Sequence, residues 1–499
     1  MLNLKTLVLF LVIVGLLLVH ILTQLPYLTQ VFNFDEIDYA YQALLLLEGK
    51  GFYSISFHDR LPGIYLVYTL AGLIFREVSP IAIRFLTLFF TSSAVIIFFL
   101  ITSKIFGKVV GFLSAFFFAI FIVDPSVQGH TANTETFAVA FFLFGIWLFI
   151  QKNKFLASIA PFVTGITILF RPTMIFLVFL LSFLLYKQDK KPTSRFIITA
   201  VKIATPLILT IFYMTFSGNI SQFLEWTVER NANHMRIAYL GKYFIGNASF
   251  TFQNMIMDSC FFWLFGLLGV IFFAFSKDLK IKTAYFFLYA SIASILFSGW
   301  FFQHYFIELV PVFSLFAGLL YAKIISFQNR FRPIILSLLF TAFLIGMVGH
   351  FIDQSAYLND RLIKRKVVQP EDQKNTDIGY PQVLNEIQKN PDASIFVWDD
   401  IPRIYVLAKK IPVSYFSYKE PLLPNNLLPP TFNGYFPKYK IYQKQLMDEL
   451  RKKFPEIVVV RKDDNFEEEK KAFPEFFQFL SNFYSGDESK FFIFYRKPI

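Results

Sequence analysis

Residues 7–23 read LVLFLVIVGLLLVHILT, and ten residues further on stands Asn33-Phe34-Asp35-Glu36. A helix crossing a bilayer needs about 20 predominantly apolar residues (about 17–25), because hydrocarbon offers no water to satisfy the backbone. The run meets that requirement. Lys5 precedes it, no small-residue cleavage pattern follows, and the run is longer than the core of a usual signal peptide. It is therefore read as an uncleaved first span, with two carboxylates just beyond its outer end.

The same reading extends outward from that stretch. Further apolar windows lie at 82–103, 109–123, 135–150, 156–170, 172–186, 196–216, 256–275, 283–298, 305–322 and 333–350. With the first, they predict a polytopic α-helical membrane protein of about 11 transmembrane helices. Composition agrees. Hydrophobic residues make up 55% of the 499 and charged residues 16%, against about 25% charged in a soluble domain. A water-soluble globule could not bury that much apolar surface.

Charge placement gives an independent axis. If Lys5 is cytoplasmic, Lys104, Lys108, Lys152, Lys154, Lys187, Lys190, Lys191, Arg195, Lys277, Lys280 and Lys282 share its side. Asp35, Glu36, Asp38, Asp59, Glu77, Asp124 and Glu225 fall on the other. That is the positive-inside bias, and it predicts a multi-pass cell-membrane protein with a cytoplasmic N-terminus. An odd number of spans then places the C-terminal part outside the cytoplasm. The net charge of +12 sits in short gaps between apolar stretches, with no basic helix or aromatic-interleaved patch. Membrane lipids are thus the expected neighbours, and nucleic acid is not an expected partner. The single cysteine, Cys260, excludes an internal disulfide framework and a cysteine-based metal site.

Two domains are expected: a multi-span part over 1–350 with long outer loops at 24–81 and 217–255, and a tail over 351–499. In the first loop, Ile37–Leu47 and Leu61–Phe75 are apolar stretches too short to span, expected as helices in the interface plane. The tail reads as a helix at Pro381–Lys389, a strand at Ala393–Asp399 and a helix at Pro402–Lys409. A helix at Ile441–Phe454 and strands at Glu456–Arg461 and Phe491–Arg496 follow. Strands alternating with helices predict a small α/β domain. It shows no Gly-rich phosphate loop, metal-ligand cluster or nucleophile elbow.

Chemistry concentrates in the outer segments. Asp35 and Glu36 stand where the dielectric falls, so either can serve as a general base; the plainer reading is an acidic helix start with Asp35 as the cap. In His58-Asp59-Arg60-Leu61-Pro62-Gly63, the Arg60 guanidinium suits a lipid phosphate, or simply snorkels to headgroups. The stretch Asp124–Glu135 ends on Asn133-Thr134-Glu135, where Asn133 or Thr134 can cap a helix that carries an ionisable residue at the membrane edge. Arg84 and Arg171 can neutralise a phosphate or pair with Asp124 or Glu135. His304 and Tyr305 open another span, with Glu308 a helical turn later. These groups gather on one side of the membrane, as expected of a site working on the outer leaflet.

Taken in order, these motifs carry a resemblance: Asp35-Glu36, Glu48-Gly49-Lys50-Gly51, Asp59-Arg60-Leu61-Pro62-Gly63, Arg84 in Ala82–Leu86, Gly129–Glu135, Phe170-Arg171-Pro172-Thr173, His304-Tyr305-Phe306 and Phe396-Val397-Trp398-Asp399-Asp400. The chain resembles the GT-C superfamily of membrane glycosyltransferases, among them bacterial relatives of the dolichyl-phosphate-mannose protein mannosyltransferases and of the lipid A aminoarabinose transferase. The resemblance implies a GT-C-like fold and an inverting transfer of a hexose or pentose from a polyprenyl-phosphate donor to a lipid, glycan or protein acceptor. It makes Asp35 the base, with Glu36 beside it, and gives the donor phosphate to Arg60, Arg84 and Arg171. The sugar or acceptor pocket falls to Asp59, Asn133, Glu135, His304 and Tyr305. Many relatives carry a basic residue directly before the proline of the Asp59 motif, where this chain has Leu61. No cofactor is expected. Some GT-C enzymes use a divalent metal, but the sequence shows no clear ligand set for one.

Two other functions compete. A transporter or flippase of an isoprenoid-linked lipid should show related halves and broken helices at mid-membrane; no such repeat is visible. A non-catalytic envelope scaffold would tolerate Asp35→Asn, which an enzyme would not.

Overall fold

The computed structural model describes residues 4–179, 192–239, 242–326, 380–427, 437–487 and 491–497. The expected span at 333–350 lies outside these residues, as do residues 180–186 of the span expected at 172–186. Six helices among them are long and apolar enough to cross a membrane: Leu4–Tyr27, Pro80–Phe106, Phe196–Phe216, Phe244–Phe273, Leu279–Ser298 and Gln303–Ser326. The expected spans at 109–123, 135–150 and 156–170 are shorter apolar helices, Lys108–Phe121, Thr134–Phe149 and Lys154–Phe170.

The chain divides into two compact units. The first comprises Met1–Gln30, Pro80–Thr210 and Lys242–Val368. Its helices used below are α1 (Leu4–Gln24), α4 (Pro80–Phe106), α5 (Lys108–Phe121), α6 (Thr134–Phe149), α7 (Lys154–Phe170), α10 (Lys242–Phe273), α11 (Leu279–Ser298) and α12 (Val310–Ser326). Small residues let them approach closely, as apolar solvent requires when no hydrophobic effect drives helices together. A Cβ on Gly145 of α6 would fall 2.3 Å from Thr164 Oγ1 of α7.

The second unit comprises Val31–Ser79, Ile211–Gly241 and Gln369–Ile499. It holds α2 (Phe34–Leu47), α3 (Gly63–Phe75), the C-terminal end of α8 (Pro192–Phe216) and α9 (Arg230–Tyr239). From the tail it takes α13 (Tyr380–Lys389), α14 (Arg403–Ala408), α15 (Tyr439–Lys453), α16 (Phe466–Ala472) and α17 (Pro474–Phe483). Strands β1 (Ile395–Trp398), β2 (Ile457–Arg461), β3 (Tyr484–Asp487) and β4 (Phe491–Arg496) form one sheet in the order β1-β2-β4-β3. β1 and β2 pair in parallel, and the other pairings are antiparallel. The small α/β character of the tail is as expected, and the sequence missed α16, α17 and β3. α16 is one short, almost wholly charged segment, and β3 is four residues reading Tyr-Ser-Gly-Asp, so neither carries an apolar repeat to read.

The helices of the loop after α1 belong to this unit. Tyr41 and Leu45 of α2 join the core of the sheet with Ile395, Val397, Ile404, Tyr405, Ile457 and Val459. Amphipathicity had assigned the apolar face of α2 to lipid headgroups. Here it faces protein instead, because a hydrophobic stripe specifies that it must be covered and not by what. Behind the sheet, Lys419 is buried among Asp400 at 3.3 Å, Glu469 at 2.6 Å and Asp463. The indole of Trp398 donates to Glu469 at 2.8 Å.

Candidate functional site

In the second unit the α2 start is built as a capping box. Asn33, not Asp35, is the cap: its side chain accepts from Glu36 N at 2.8 Å, and Glu36 Oε2 accepts from Asn33 N at 2.9 Å. Glu36 is fully buried in that role. Asp35, one position earlier, points elsewhere, with its side chain 32% exposed. The two adjacent acids are thus separated by geometry, one closing the helix end and one left partly open.

Asp35 faces Arg60, whose Nη2 lies 3.8 Å from Asp35 Oδ1 and whose Nε lies 3.7 Å from Asp59 Oδ1. Asp59 is held from its other side by Arg230 Nη1 at 3.1 Å. The chain Asp35–Arg60–Asp59–Arg230 alternates in sign, so each charge is matched by its neighbours. Burial works to raise the Asp59 carboxyl, but the guanidinium of Arg230, then that of Arg60, outweighs it and holds Asp59 below the usual carboxylate range. Asn231 fixes the backbone, donating to Asp59 O at 2.8 Å and Thr227 O at 2.7 Å.

Arg230 reaches this position through an unusual backbone. Leu224–Glu229 forms a π-helical turn ahead of α9, a rare conformation that is frequent at functional sites. Trp226 of that turn stacks on Phe57 with centroids 4.4 Å apart. Sequence reading placed Arg230 and His234 in an outer segment without assigning them a role. No spacing links residue 230 to residue 59, so only the fold could pair them.

Asp38 lies one helical turn after Asp35 and accepts from Tyr65 Oη at 3.4 Å. Burial, then the neighbouring Asp59 charge, raises it to about 7, against the pull of Arg230 and Arg60; Asp35 adds to the rise. With a raised folded-state pKa, its contribution to stability is complete below the unfolded value of about 4 and is lost as pH rises through about 7. Asp38→Asn, neutral at every pH, removes that dependence. The thermal midpoint of the wild type is therefore expected to fall relative to Asp38→Asn between about pH 4 and pH 7, and to run parallel above. A difference that stays constant across that interval would overturn the assignment. His58 and His234 are both held neutral at pH 7, each drawn down to about 3 chiefly by burial.

The first unit carries a second cluster. Glu135 sits in the first turn of α6, where the helix dipole favours an acid. It pairs with Arg171, which also meets Glu308 at 2.5 Å. Arg171 lies over the Tyr305 ring, 3.8 Å from its centroid, and its Nε donates to Thr173 Oγ1 at 2.9 Å. Arg171 ends α7 in extended backbone before Pro172, as a residue preceding proline prefers. Sequence reading left Arg171 either to a phosphate or to a pair with Asp124 or Glu135; the structure pairs it with Glu135 and adds Glu308.

Around this pair, His304 Nδ1 lies 3.0 Å from Gln128 Oε1, and Gln128 Nε2 donates to Gln303 at 3.0 Å. Gly129 permits the tight turn that presents Gln128: a Cβ there would lie 2.1 Å from Ile122 O. Asn133 is the α6 cap by position but makes no capping bond. Its amide oxygen and nitrogen are both buried and without a hydrogen-bond partner among the described residues. Asp124 is taken up structurally, accepting from Ser126 N at 2.7 Å and from Ser259 Oγ. Arg84, in the first turn of α4, is completely enclosed. The same unit holds an apolar cavity of about 570 Å³ between α10, α11 and α12, lined by Met255, Trp263, Leu264, Ile295, Phe306 and Phe313. No group of three or more His, Cys, Asp or Glu side chains among the described residues is arranged to hold a metal ion.

The profile of the dolichyl-phosphate-mannose-protein mannosyltransferase family matches residues 59–214. By structure, the chain is similar to ArnT from Cupriavidus metallidurans bound to undecaprenyl phosphate (TM-score 0.56, 10% identity, 97% of this chain and 97% of that one). It is also similar to the Archaeoglobus fulgidus oligosaccharyltransferase in complex with zinc and sulfate (TM-score 0.57, 14% identity, 95% and 71% covered). The same oligosaccharyltransferase tethered to an acceptor peptide matches with a TM-score of 0.53 at 13% identity, over 97% of this chain and 74% of that one. No curated protein matches by sequence. The chain thus shares the fold of these solved structures, and the mannosyltransferase family profile covers residues 59–214 of it.

Proposed function

We propose that the protein transfers a sugar, with inversion, from a polyprenyl-phosphate donor to an acceptor hydroxyl at the outer face of the membrane. The observation that carries this reading is the partly open Asp35 carboxylate beside Arg60, with Arg60 steadied by Asp59 and Asp59 by Arg230. A base and a cation stand side by side, each held by ion pairs rather than by chance rotamers.

In the step proposed, Asp35 takes the proton of the acceptor hydroxyl as that oxygen forms a bond to the anomeric carbon. The bond from the anomeric carbon to the phosphate oxygen breaks, and the polyprenyl phosphate leaves with the electron pair. Arg60 supplies the positive charge that the leaving group needs, so no protonating acid is required. Attack opposite the leaving group inverts the anomeric centre. Glu36, occupied in the capping box, is assigned to the helix start. Arg171 is assigned to hold Glu135, which with Asn133, His304 and Tyr305 contacts sugar or acceptor. The unpartnered Asn133 amide supports that role, since a buried polar group without a partner costs about 1–3 kcal/mol. The enclosed Arg84 fits an internal ion pair better than an open phosphate site. The apolar cavity at α10–α12 suits an isoprenoid chain. No step is routed through a metal.

Incubating the purified protein with a panel of polyprenyl-phosphate sugars tests the reading. At least one donor is expected to be consumed, and the glycosidic product should carry the opposite anomeric configuration by NMR. Failure to consume any donor would sink the proposal, as would retention. For the sidedness, impermeant labelling of cysteines placed at Asp35 and Glu135, in a Cys260→Ser background, should reach both from outside.

A further inference from the structure

The second unit contains a cleft of about 370 Å³ that the proposed chemistry does not use, between the segment 219–226, the first loop near Ser54 and helix α15. Its volume lies in the range of small-ligand clefts, about 300–1,000 Å³. One wall is aromatic: Trp226 stacks against Tyr442 with centroids 5.4 Å apart, and Tyr415 lies beside them. The rest is amide and hydroxyl, from Asn219, Gln222, Gln445 and Ser54.

The charged groups lining this cleft are already hydrogen-bonded within the protein. Glu225 accepts from Tyr442 Oη at 2.7 Å and from Lys438 Nζ at 3.0 Å. Glu449 accepts from Ser414 Oγ at 2.7 Å, Tyr415 N at 2.8 Å and Gln445 at 3.1 Å. Lys453 donates to Val413 O. One polar atom is not matched: Gln222 Oε1 is buried with no hydrogen-bond partner in the described residues, and Tyr415, which accepts from Trp226, keeps its hydroxyl proton to donate. The cleft therefore offers an aromatic wall, neutral donors and acceptors, an unsatisfied amide oxygen and a phenol proton, with its charged groups already engaged in hydrogen bonds.

We infer that this cleft binds a neutral saccharide. A pyranose ring has an apolar C–H face that packs on an aromatic side chain and a rim of hydroxyls that both donate and accept. A hydroxyl can give its proton to Gln222 Oε1, and another oxygen can receive that of Tyr415. The lining sets the two acids Glu225 and Glu449 against the one cation Lys453, so a phosphate or a carboxylate would meet a net negative wall. The inference rests on the glycosyltransferase reading for one point only, that sugar polymers are this protein's chemical surroundings. It makes the acceptor, or the product as it leaves, a glycan.

Binding of a panel of neutral oligosaccharides of two to four hexoses to the full-length protein in nanodiscs, followed by saturation-transfer NMR and calorimetry without any donor, tests this. At least one is expected to bind. Tyr415→Phe and Gln222→Ala should each weaken it about tenfold, as losing a buried hydrogen bond does, while cleavage of the lipid-linked donor is unchanged. If no oligosaccharide binds, if both variants bind like wild type, or if only a neutral peptide binds, the inference is overturned. Loss of donor cleavage with saccharide binding intact would instead fault the assigned catalytic cluster.

Discussion

Asp35→Asn is expected to lower sugar transfer by about 10²–10⁴-fold, the usual contribution of a positioned general base, while the protein inserts and melts like wild type. The separation of the two adjacent acids supports both halves of that statement. The α2 start is closed by Asn33 and Glu36, so an amide at position 35 removes charge without uncapping the helix. Arg60 keeps Asp59 as a partner at 3.7 Å, and the loop retains its ion pairing. Glu36→Gln is the contrasting variant. It weakens the capping box, so it should cost stability, about 0.5–2 kcal/mol, and leave the turnover of folded protein nearly intact. Initial rates of donor consumption, with melting curves in the same detergent, separate the two. If Asp35→Asn turns over within a few-fold of wild type, Asp35 is not the base.

Arg171→Met is expected to be among the most damaging single changes in the membrane unit, costing about 3–5 kcal/mol. The guanidinium is buried between Glu135 and Glu308, with exposures of 6%, 2% and 0% for the three side chains. Removing it leaves two carboxylates enclosed without a cation and strips the Tyr305 ring of its charged partner. The cost arises from uncompensated charge, not from lost volume, and this gives the prediction its control. Combining Arg171→Met with Glu135→Gln and Glu308→Gln should recover a substantial part of the lost stability, although not activity. Thermal unfolding of the purified variants checks it. Should the single variant melt with wild type, or the triple variant fall lower still, the ion cluster does not bear the energy assigned to it.

The parts of the site that were legible in the sequence are those carried by local signals. Asp35 and Glu36 stood out because they follow an apolar run, and Asp59-Arg60 because a proline and a glycine break the chain after them. Glu135 and Arg171 stood out because ionisable groups at a membrane edge are costly. What was not legible is which of these touch. The guanidinium at 171 looked available for a phosphate until Glu135 and Glu308 were seen on it. Asp38 read as one polar residue on an amphipathic helix, and Arg230 as one cation in a long loop.

Hydropathy by itself determined that this chain is a multi-span membrane protein with a polar α/β tail, because crossing hydrocarbon demands long apolar helices and that demand is written in consecutive residues. It also marked the residues whose charge is expensive to bury. Only the tertiary structure decided that the first outer loop, the segment before α10 and the tail form one compact unit, and that Asp59 is clasped by Arg60 and Arg230. Charge pairing acts across space over a few ångströms, and residues 59 and 230 are brought that close by packing that no local pattern encodes.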